Sequence, residues 1–230
     1  MPFIIEIEGT DGCGKQTQTK KLFEYLSRKN LIVKTLSFPN YKSVSSGPVK
    51  MYLNGELSET VEGLNAYQAS ILYATDRLCT MKSQDKLLSK ADVIILDRYT
   101  GSNLLHQACK IKDLNKRNEF INWINELEFN ILKLPKPNLV FFLDMPYDFT
   151  VYISQHRKHN KCGLQTDIHE QNLEYLKYVN ETSVMLAENQ NWQVIHCDNG
   201  TRIKTVQNIH KEIVEIFENK FQAKYSEQTK

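Results

Sequence analysis

The sequence predicts an α/β fold, a five-stranded parallel sheet with helices on both faces, and three observations carry that expectation. Short β-branched runs alternate with helical apolar periodicity along most of the 230 residues, the pattern of a sheet covered on two sides. Val93-Ile94-Ile95-Leu96 and Leu139-Val140-Phe141-Phe142-Leu143 are apolar at every position, as strands buried on both faces require. Phe3-Ile4-Ile5-Glu6-Ile7-Glu8 runs straight into a glycine-rich loop with a helix behind it.

That loop reads Gly9-Thr10-Asp11-Gly12-Cys13-Gly14-Lys15-Gln16-Thr17. Its glycines permit backbone angles that side chains forbid, so successive N–H groups can converge on a phosphate. The helix N-terminus adds a partial positive charge and Lys15 a full one. Strand, G-x-x-x-x-G-K loop and helix together are a P-loop, so a nucleoside triphosphate is expected against Gly9, Thr10, Gly12, Cys13, Gly14, Lys15, Gln16 and Thr17. A plain turn between strand and helix is the blander explanation. Three glycines, the lysine and the right flanks favour the nucleotide. One position departs from the motif: Gln16 stands where a Ser or Thr hydroxyl ordinarily ligates Mg²⁺. Its amide oxygen or a water can substitute, and Thr17 still offers a hydroxyl. Cys13 is read as a small filler residue.

Taken in order, the first helix carries Leu22, Phe23 and Leu26 within a stretch from Lys20 to Arg28, and a second strand spans Leu31 to Phe38, ended by Pro39. A polar loop and a short helix over Val49 to Leu53 precede a long helical stretch from Ala66 to Lys90. The third strand is Val93 to Leu96. A helix from Ser102 to about Cys109 follows, then a charged turn from Lys110 to Arg117. The next helix is expected over Asn118 to Leu132, with Phe120, Ile121, Ile124, Leu127 and Ile131 on one face. Leu134-Pro135-Lys136-Pro137 breaks it before the fourth strand. Helices from Tyr147 and from Glu170 to Gln190 flank a polar, basic segment. Gln193 to His196 is the fifth strand, and Ile203 to Phe221 the last helix. No repeat or linker divides the chain. A single domain over 1–222 is expected, with a short mobile lid at about 156–167 and a polar tail at 223–230.

Composition excludes several classes. The formal charge is +2 and no Lys/Arg tract stands apart from acidic neighbours, so binding to nucleic acid or a membrane surface has no electrostatic support. Five scattered cysteines without CxxC spacing read as reduced thiols, neither a zinc site nor a disulfide framework. No signal peptide precedes the first strand and no apolar run is long enough to span a bilayer. A soluble, cytoplasmic protein is expected.

Asp97-Arg98-Tyr99 directly follows the third strand. The carboxyl ends of parallel strands face the ligand crevice, so the trio should lie near the P-loop. There Asp97 can hold Mg²⁺ through water and Arg98 can bridge two sets of phosphates. A strand-end ion pair is the plain alternative.

Five pieces now stand in an order that resembles the thymidylate kinase family over nearly the whole chain. They are the Asp11-containing P-loop, Phe38-Pro39-Asn40-Tyr41, Tyr73-Ala74-Thr75-Asp76-Arg77, Asp97-Arg98-Tyr99 with Ser102-Asn103, and Leu134-Pro135-Lys136-Pro137. The resemblance implies a three-layer P-loop NTPase fold and transfer of the γ-phosphoryl of ATP to dTMP, giving dTDP and ADP. It implies ATP and dTMP as substrates, Mg²⁺ as cofactor, and a homodimer.

It also assigns residues. Asp11 would accept a hydrogen bond from the deoxyribose 3′-hydroxyl, and Tyr73, by itself ordinary helix packing, would stack on thymine. Arg77, one helical turn on, would bond the thymine carbonyl. Ser102 and Asn103 would line the base pocket, with Gln107 on the same wall and His106 where some members exclude a ribose 2′-hydroxyl. Phe38 and Pro39 would border the acceptor. Tyr41 replaces an arginine that grips its phosphate, leaving more of the charge to Arg98. Gly12 stands where some members place a catalytic arginine, so the missing cation would come from the lid, from Arg157 with Lys158 and Lys161 as alternates. A solvated basic loop is the bland explanation there.

Other readings stay open at this point. A deoxynucleoside kinase would want a carboxylate after the second strand to deprotonate a 5′-hydroxyl, where Ser37-Phe38-Pro39-Asn40 offers none. A kinase for another nucleoside monophosphate differs only in the base pocket. A nucleotide-binding regulatory module is the non-enzyme alternative, although the Asn-Lys-x-Asp run of G-protein switches is missing.

Overall fold

The computed structural model describes residues 1–156 and 173–226. Nearly all of the expected lid, Arg157, Lys158 and Lys161 included, lies outside the described residues. Strands β1 (Phe3–Gly9), β2 (Val33–Ser37), β3 (Val93–Asp97), β4 (Leu139–Asp144) and β5 (Gln193–His196) form one sheet in the order β2-β3-β1-β4-β5, every pairing parallel. Ile7 registers with Asp97 and Gly9 with Leu143. The P-loop and the Asp97-Arg98 turn therefore leave the sheet side by side at its carboxyl edge, where an open α/β sheet binds its ligands.

Alternation along β1 divides the core. Phe3, Ile5 and Ile7 pack under α1 (Lys15–Ser27) and α9 (Val206–Ser226), against Leu22, Leu26, Ile213 and Phe217. On the other face Ile4 meets Ile94, Leu96, Met81 and Leu88 beneath α3 (Ala66–Ser83) and α4 (Asp85–Leu88). Further out, α2 (Gly47–Leu53), α5 (Thr100–Ala108), α6 (Leu114–Asn125) and α8 (Leu173–Asn189) close over Tyr52, Leu104, Phe120 and Val179. Each such fully buried side chain contributes roughly 1.5–3 kcal/mol. Helix α7 (Tyr147–His156) lies after β4.

Several elements differ from the sequence expectation. Helix α1 begins at Lys15, five residues before the expected start, because the left-handed Gly14 (φ 96°) caps it directly out of the P-loop. Its first turns are polar yet buried at Lys15, Gln18 and Thr19, so apolar periodicity could not see them. Strand β2 starts at Val33, and Ile32 instead joins the turn region through Asp92 N and the Asp92 carboxylate. The long helix expected to Lys90 stops at Ser83, where Gln84 leaves the helical region (φ −109°, ψ 5°) and α4 restarts on its carbonyl. The charged turn from Lys110 to Arg117 already contains the start of α6, capped by the Asp113 side chain accepting from Lys116 N at 2.9 Å.

The largest departure follows α6. Residues Glu126–Ile131 form a π-helical stretch, which adds residues per turn and rotates the expected apolar face. Ile131 is left 63% exposed while Glu128 is turned inside at 1%. At the far end of the chain, Ile203 belongs to the turn before α9 through a bridge to Asp198, and α9 runs on to Ser226.

Candidate active site

A crevice of about 690 Å³ opens over the carboxyl ends of β1, β2 and β3. Asp11 to Thr17 of the P-loop line one side. Lys15 is 7% exposed and its Nζ donates to Gly9 O at 2.9 Å and Thr10 O at 2.8 Å. The ammonium is thereby held inside the loop, over the start of α1. That helix has no acidic residue in its first turn, so its partial positive charge stays uncompensated for an anion. Cys13 is buried, and burial pushes its thiol above the ordinary value, which suits a filler and not a nucleophile.

Arg98 sits where β3 ends, in left-handed backbone (φ 64°), with its N–H on Ile7 O at 3.1 Å. This turn throws its side chain toward the P-loop. Its Nη2 is ion-paired with Asp11, and its Nη1 donates to Ser102 Oγ at 3.3 Å. Burial alone would lower the Arg98 pKa, but the carboxylates of Asp11, Glu8 and Asp97 outweigh it and raise the value. The guanidinium is a fixed cation facing the crevice.

The opposite wall is built by α3 and α5. Tyr73, half-buried, lines it with Arg77, Ser102, Asn103, His106 and Gln107, and with Phe38, Pro39 and Tyr41 from the loop after β2. Every expected acceptor-site residue thus faces one crevice, as does Asp97. The loop after β2 is tied down by Asp76, whose carboxylate accepts from Asn40 N at 2.8 Å and Ser45 Oγ at 2.6 Å. Arg77 differs in detail from its expected exposure to a base: it is 2% exposed and forked on Glu128, with Nε donating to Oε2 at 2.8 Å. Asn103 Nδ2 also donates to Glu128, at 3.0 Å. Asn103 Oδ1 and Gln107 Oε1 are buried without a partner among the described residues, so the wall carries open acceptors. Burial and then the nearby Arg98 charge lower the His106 pKa to about 4, so its ring is neutral at pH 7.

Two groups of residues escaped the sequence reading. Glu6 and Glu8 received no role from the sequence, and both are buried, at 1% and 0% exposure. Glu6 accepts from Gly101 N at 2.7 Å and Glu8 from Tyr99 N at 2.8 Å and Ser102 Oγ at 2.8 Å. They satisfy N–H groups at the start of α5 that no helical carbonyl reaches. Burial and the adjacent Glu8 carboxyl push the Glu6 carboxyl well above the usual carboxylate range. The signal that could have found them was two acids alternating on a strand that had to be covered on both faces. The second group is Ile203, Lys204 and Val206, which border the crevice beyond Gln16 and Thr17, with Gln18 Nε2 donating to Val206 O at 3.1 Å. Their positions follow only from the fold, since no motif marks them.

Two anionic ligands can meet in this crevice, one on the P-loop amides and one against the α3–α5 wall with Arg98 between. That is the layout of a P-loop nucleoside monophosphate kinase. The family profile described as thymidylate kinase matches residues 7–213, and the chain belongs to the thymidylate kinase family. It is similar to the thymidylate kinase of Mycobacterium tuberculosis, 30% identical over 190 residues that span 82% of this chain and 87% of the relative. It is also similar to that of Plasmodium falciparum, 29% identical over 214 residues, 93% of this chain and 90% of the relative. Among solved structures the fold is similar to that of thymidylate kinase from Candida albicans, with a TM-score of 0.67 at 21% identity, covering 95% of this chain and 92% of the other. The chain is a phosphotransferase of that family, with ATP as phosphoryl donor.

Proposed function

We propose that the chain transfers the γ-phosphoryl of ATP to dTMP, giving dTDP and ADP for dTTP synthesis, and that the crevice residues divide the work as follows. The P-loop from Gly9 to Thr17 holds the ATP phosphates on its backbone amides and Lys15. Arg98 lies between donor and acceptor phosphates and neutralises charge that spreads in the transition state. Asp11 orients the acceptor, both directly at the sugar and by holding Arg98. Tyr73 stacks on the base, Arg77 and Asn103 read its edge, and Phe38, Pro39, Tyr41, Ser102, His106 and Gln107 complete the pocket. The attacking oxygen belongs to a phosphate already ionised near neutral pH, so no general base is required. Arg157, outside the described residues, is assigned as the lid cation that completes the set.

Mg²⁺ fits this donor set. Gln16 and Asp97 line the crevice beside Lys15 with hard oxygen atoms, the ligands Mg²⁺ prefers, and the remainder of its shell is ordinarily water and phosphate. Among the described residues no group of three His, Cys, Asp or Glu side chains could hold a metal unaided, consistent with an ion that arrives with the nucleotide. Bound there, it would neutralise phosphate charge.

The observation that carries the dTMP assignment is the α3–α5 wall, where guanidinium donors of Arg77 lie beside the open Asn103 acceptor. A deoxynucleoside kinase is disfavoured because Asp76, the carboxylate that reaches the loop after β2, is spent on Asn40 N and Ser45 Oγ. A homodimer is proposed on Tyr67 and Ile71, 38% and 49% exposed on α3, apolar surface of the kind a second subunit covers. No helix among the described residues is long and apolar enough to cross a membrane, and a cytoplasmic setting is proposed. The test is ADP release with ATP and Mg²⁺, run separately with dTMP, dUMP, UMP, AMP, GMP and thymidine. Strong preference for dTMP is expected. A purine monophosphate or thymidine as best acceptor would overturn the assignment.

A further inference from the structure

We propose that Glu128 is the positioning residue that sets the hydrogen-bond polarity of the base pocket, an inference that rests on dTMP being the acceptor. Glu128 enters from the π-helical stretch Glu126–Ile131 and is 1% exposed. Its Oε2 accepts from Arg77 Nε at 2.8 Å, and its Oε1 accepts from Arg77 Nη2 and, at 3.0 Å, from Asn103 Nδ2. Ser70 O accepts from the same Asn103 nitrogen at 3.2 Å. Two acceptors on one side of the amide leave it a single orientation, NH₂ toward Glu128 and Ser70 and Oδ1 turned away. That Oδ1 is buried without a partner among the described residues, and Asn103 lines the crevice.

Arg77 is fixed by the same carboxylate. Three of its five N–H donors are committed, two to Glu128 and one from Nη1 to Tyr99 O at 3.2 Å, which leaves two for a ligand. The wall therefore presents one acceptor beside N–H donors. This matches a pyrimidine whose ring N–H neighbours a carbonyl and opposes cytosine, whose ring nitrogen accepts and whose exocyclic amine donates. Remove the carboxylate charge and only Ser70 O still holds the Asn103 amide in that orientation, so the amide turns more readily and offers a donor where the pocket had an acceptor. A normal α-helical turn would have directed a different side chain inward, so the π-helical register is part of the device.

The test compares the unmodified protein with Glu128→Gln, which keeps the shape and loses the charge, using dTMP and dCMP as acceptors. The KM for dTMP should rise about tenfold, and the ratio of kcat/KM for dTMP over dCMP should narrow about tenfold, while the KM for ATP stays in place. A lowered Tm with an unchanged dTMP KM and an unchanged ratio would make the pair a brace between α3 and the π-helical stretch and overturn the proposal. Should Glu128→Gln not fold, Glu128→Asp, too short to reach both Arg77 and Asn103, takes its place, and the same kinetic outcomes support or overturn the proposal. Loss of fold in both variants also overturns it. Failure of the underlying reading looks different, because the unmodified protein would then not turn over dTMP.

Discussion

Arg98 and Asp11, 87 residues apart, are ion-paired across the mouth of the P-loop. The contact joins the end of β3 to the loop after β1, so the cation expected between two sets of phosphates is held by the residue expected at the acceptor sugar. Neither end is fully buried, at 19% and 38% side-chain exposure, and the pair itself adds little to stability. Its consequence is aim. Asp11→Asn should lower kcat/KM for dTMP by about ten- to a hundredfold, with the KM for ATP within about twofold and an almost unaltered melting temperature. Steady-state kinetics in both substrates check this; an unaffected kcat/KM would detach Asp11 from the mechanism.

Gly12 leaves no room for a cationic side chain at its place in the loop. Its φ is +84°, and a Cβ there would stand 2.7 Å from the carbonyl oxygen of Thr150. Helix α7 thus packs its backbone directly on the loop, and left-handed backbone costs a non-glycine residue about 1–2 kcal/mol before that clash. Gly12→Arg should supply no catalytic cation. It should lower Tm and weaken ATP binding more than about tenfold, since the loop must move to admit any side chain. Gly12→Ala, measured by thermal melts with and without ATP, should show the same direction with a smaller loss.

The sheet was legible because its signal is local: β3 and β4 are unbroken apolar runs up to a closing aspartate, as strands buried on both faces require. The P-loop was legible from spacing, and the acceptor wall from resemblance, since Tyr73 or Asn103 alone says nothing. What escaped is non-local. Glu6 and Glu8 owe their burial to the start of α5, about 95 residues later, as the Gly101 N to Glu6 bond shows. Glu128 owes its burial to a π-helical shift that periodicity at 3.6 cannot encode. Helix α1 hid its first turns because the polar Gln18 and Thr19 are buried there, Gln18 with its amide on Val206 O of α9, and not because of apolar character.

Gln16 makes a prediction about metal. A hydroxyl at this position ordinarily touches Mg²⁺ directly, whereas a longer amide places its oxygen further out along a flexible stem. Gln16→Thr should therefore lower the Mg²⁺ concentration giving half-maximal rate, by about threefold or more. Titrating Mg²⁺ at fixed ATP and dTMP reads the shift. A rise in the half-saturating concentration would mean that the Gln16 amide is itself a ligand and that the substitution removes it.

His106 should make the fold sensitive to mild acid. Its native pKa is lowered to about 4, first by burial and then by the charge of Arg98, against an unfolded value of about 6.5. Between those values the unfolded chain binds a proton that the native ring refuses, so stability rises with pH there. The contribution is full above about pH 6.5, declines on acidification toward about pH 4 and is constant below it, where both states are protonated. Going from pH 7 to pH 5 the loss is at most about 2 kcal/mol, moderated because part of the ring faces the crevice. Urea melts of the protein and of His106→Gln at both pH values isolate the effect from every other titrating group, His210 included. The difference between the two proteins should shift toward the variant at pH 5. An identical difference at both pH values would mean that His106 titrates as it does in water, and that the wall beside Asn103 is far wetter than its burial indicates.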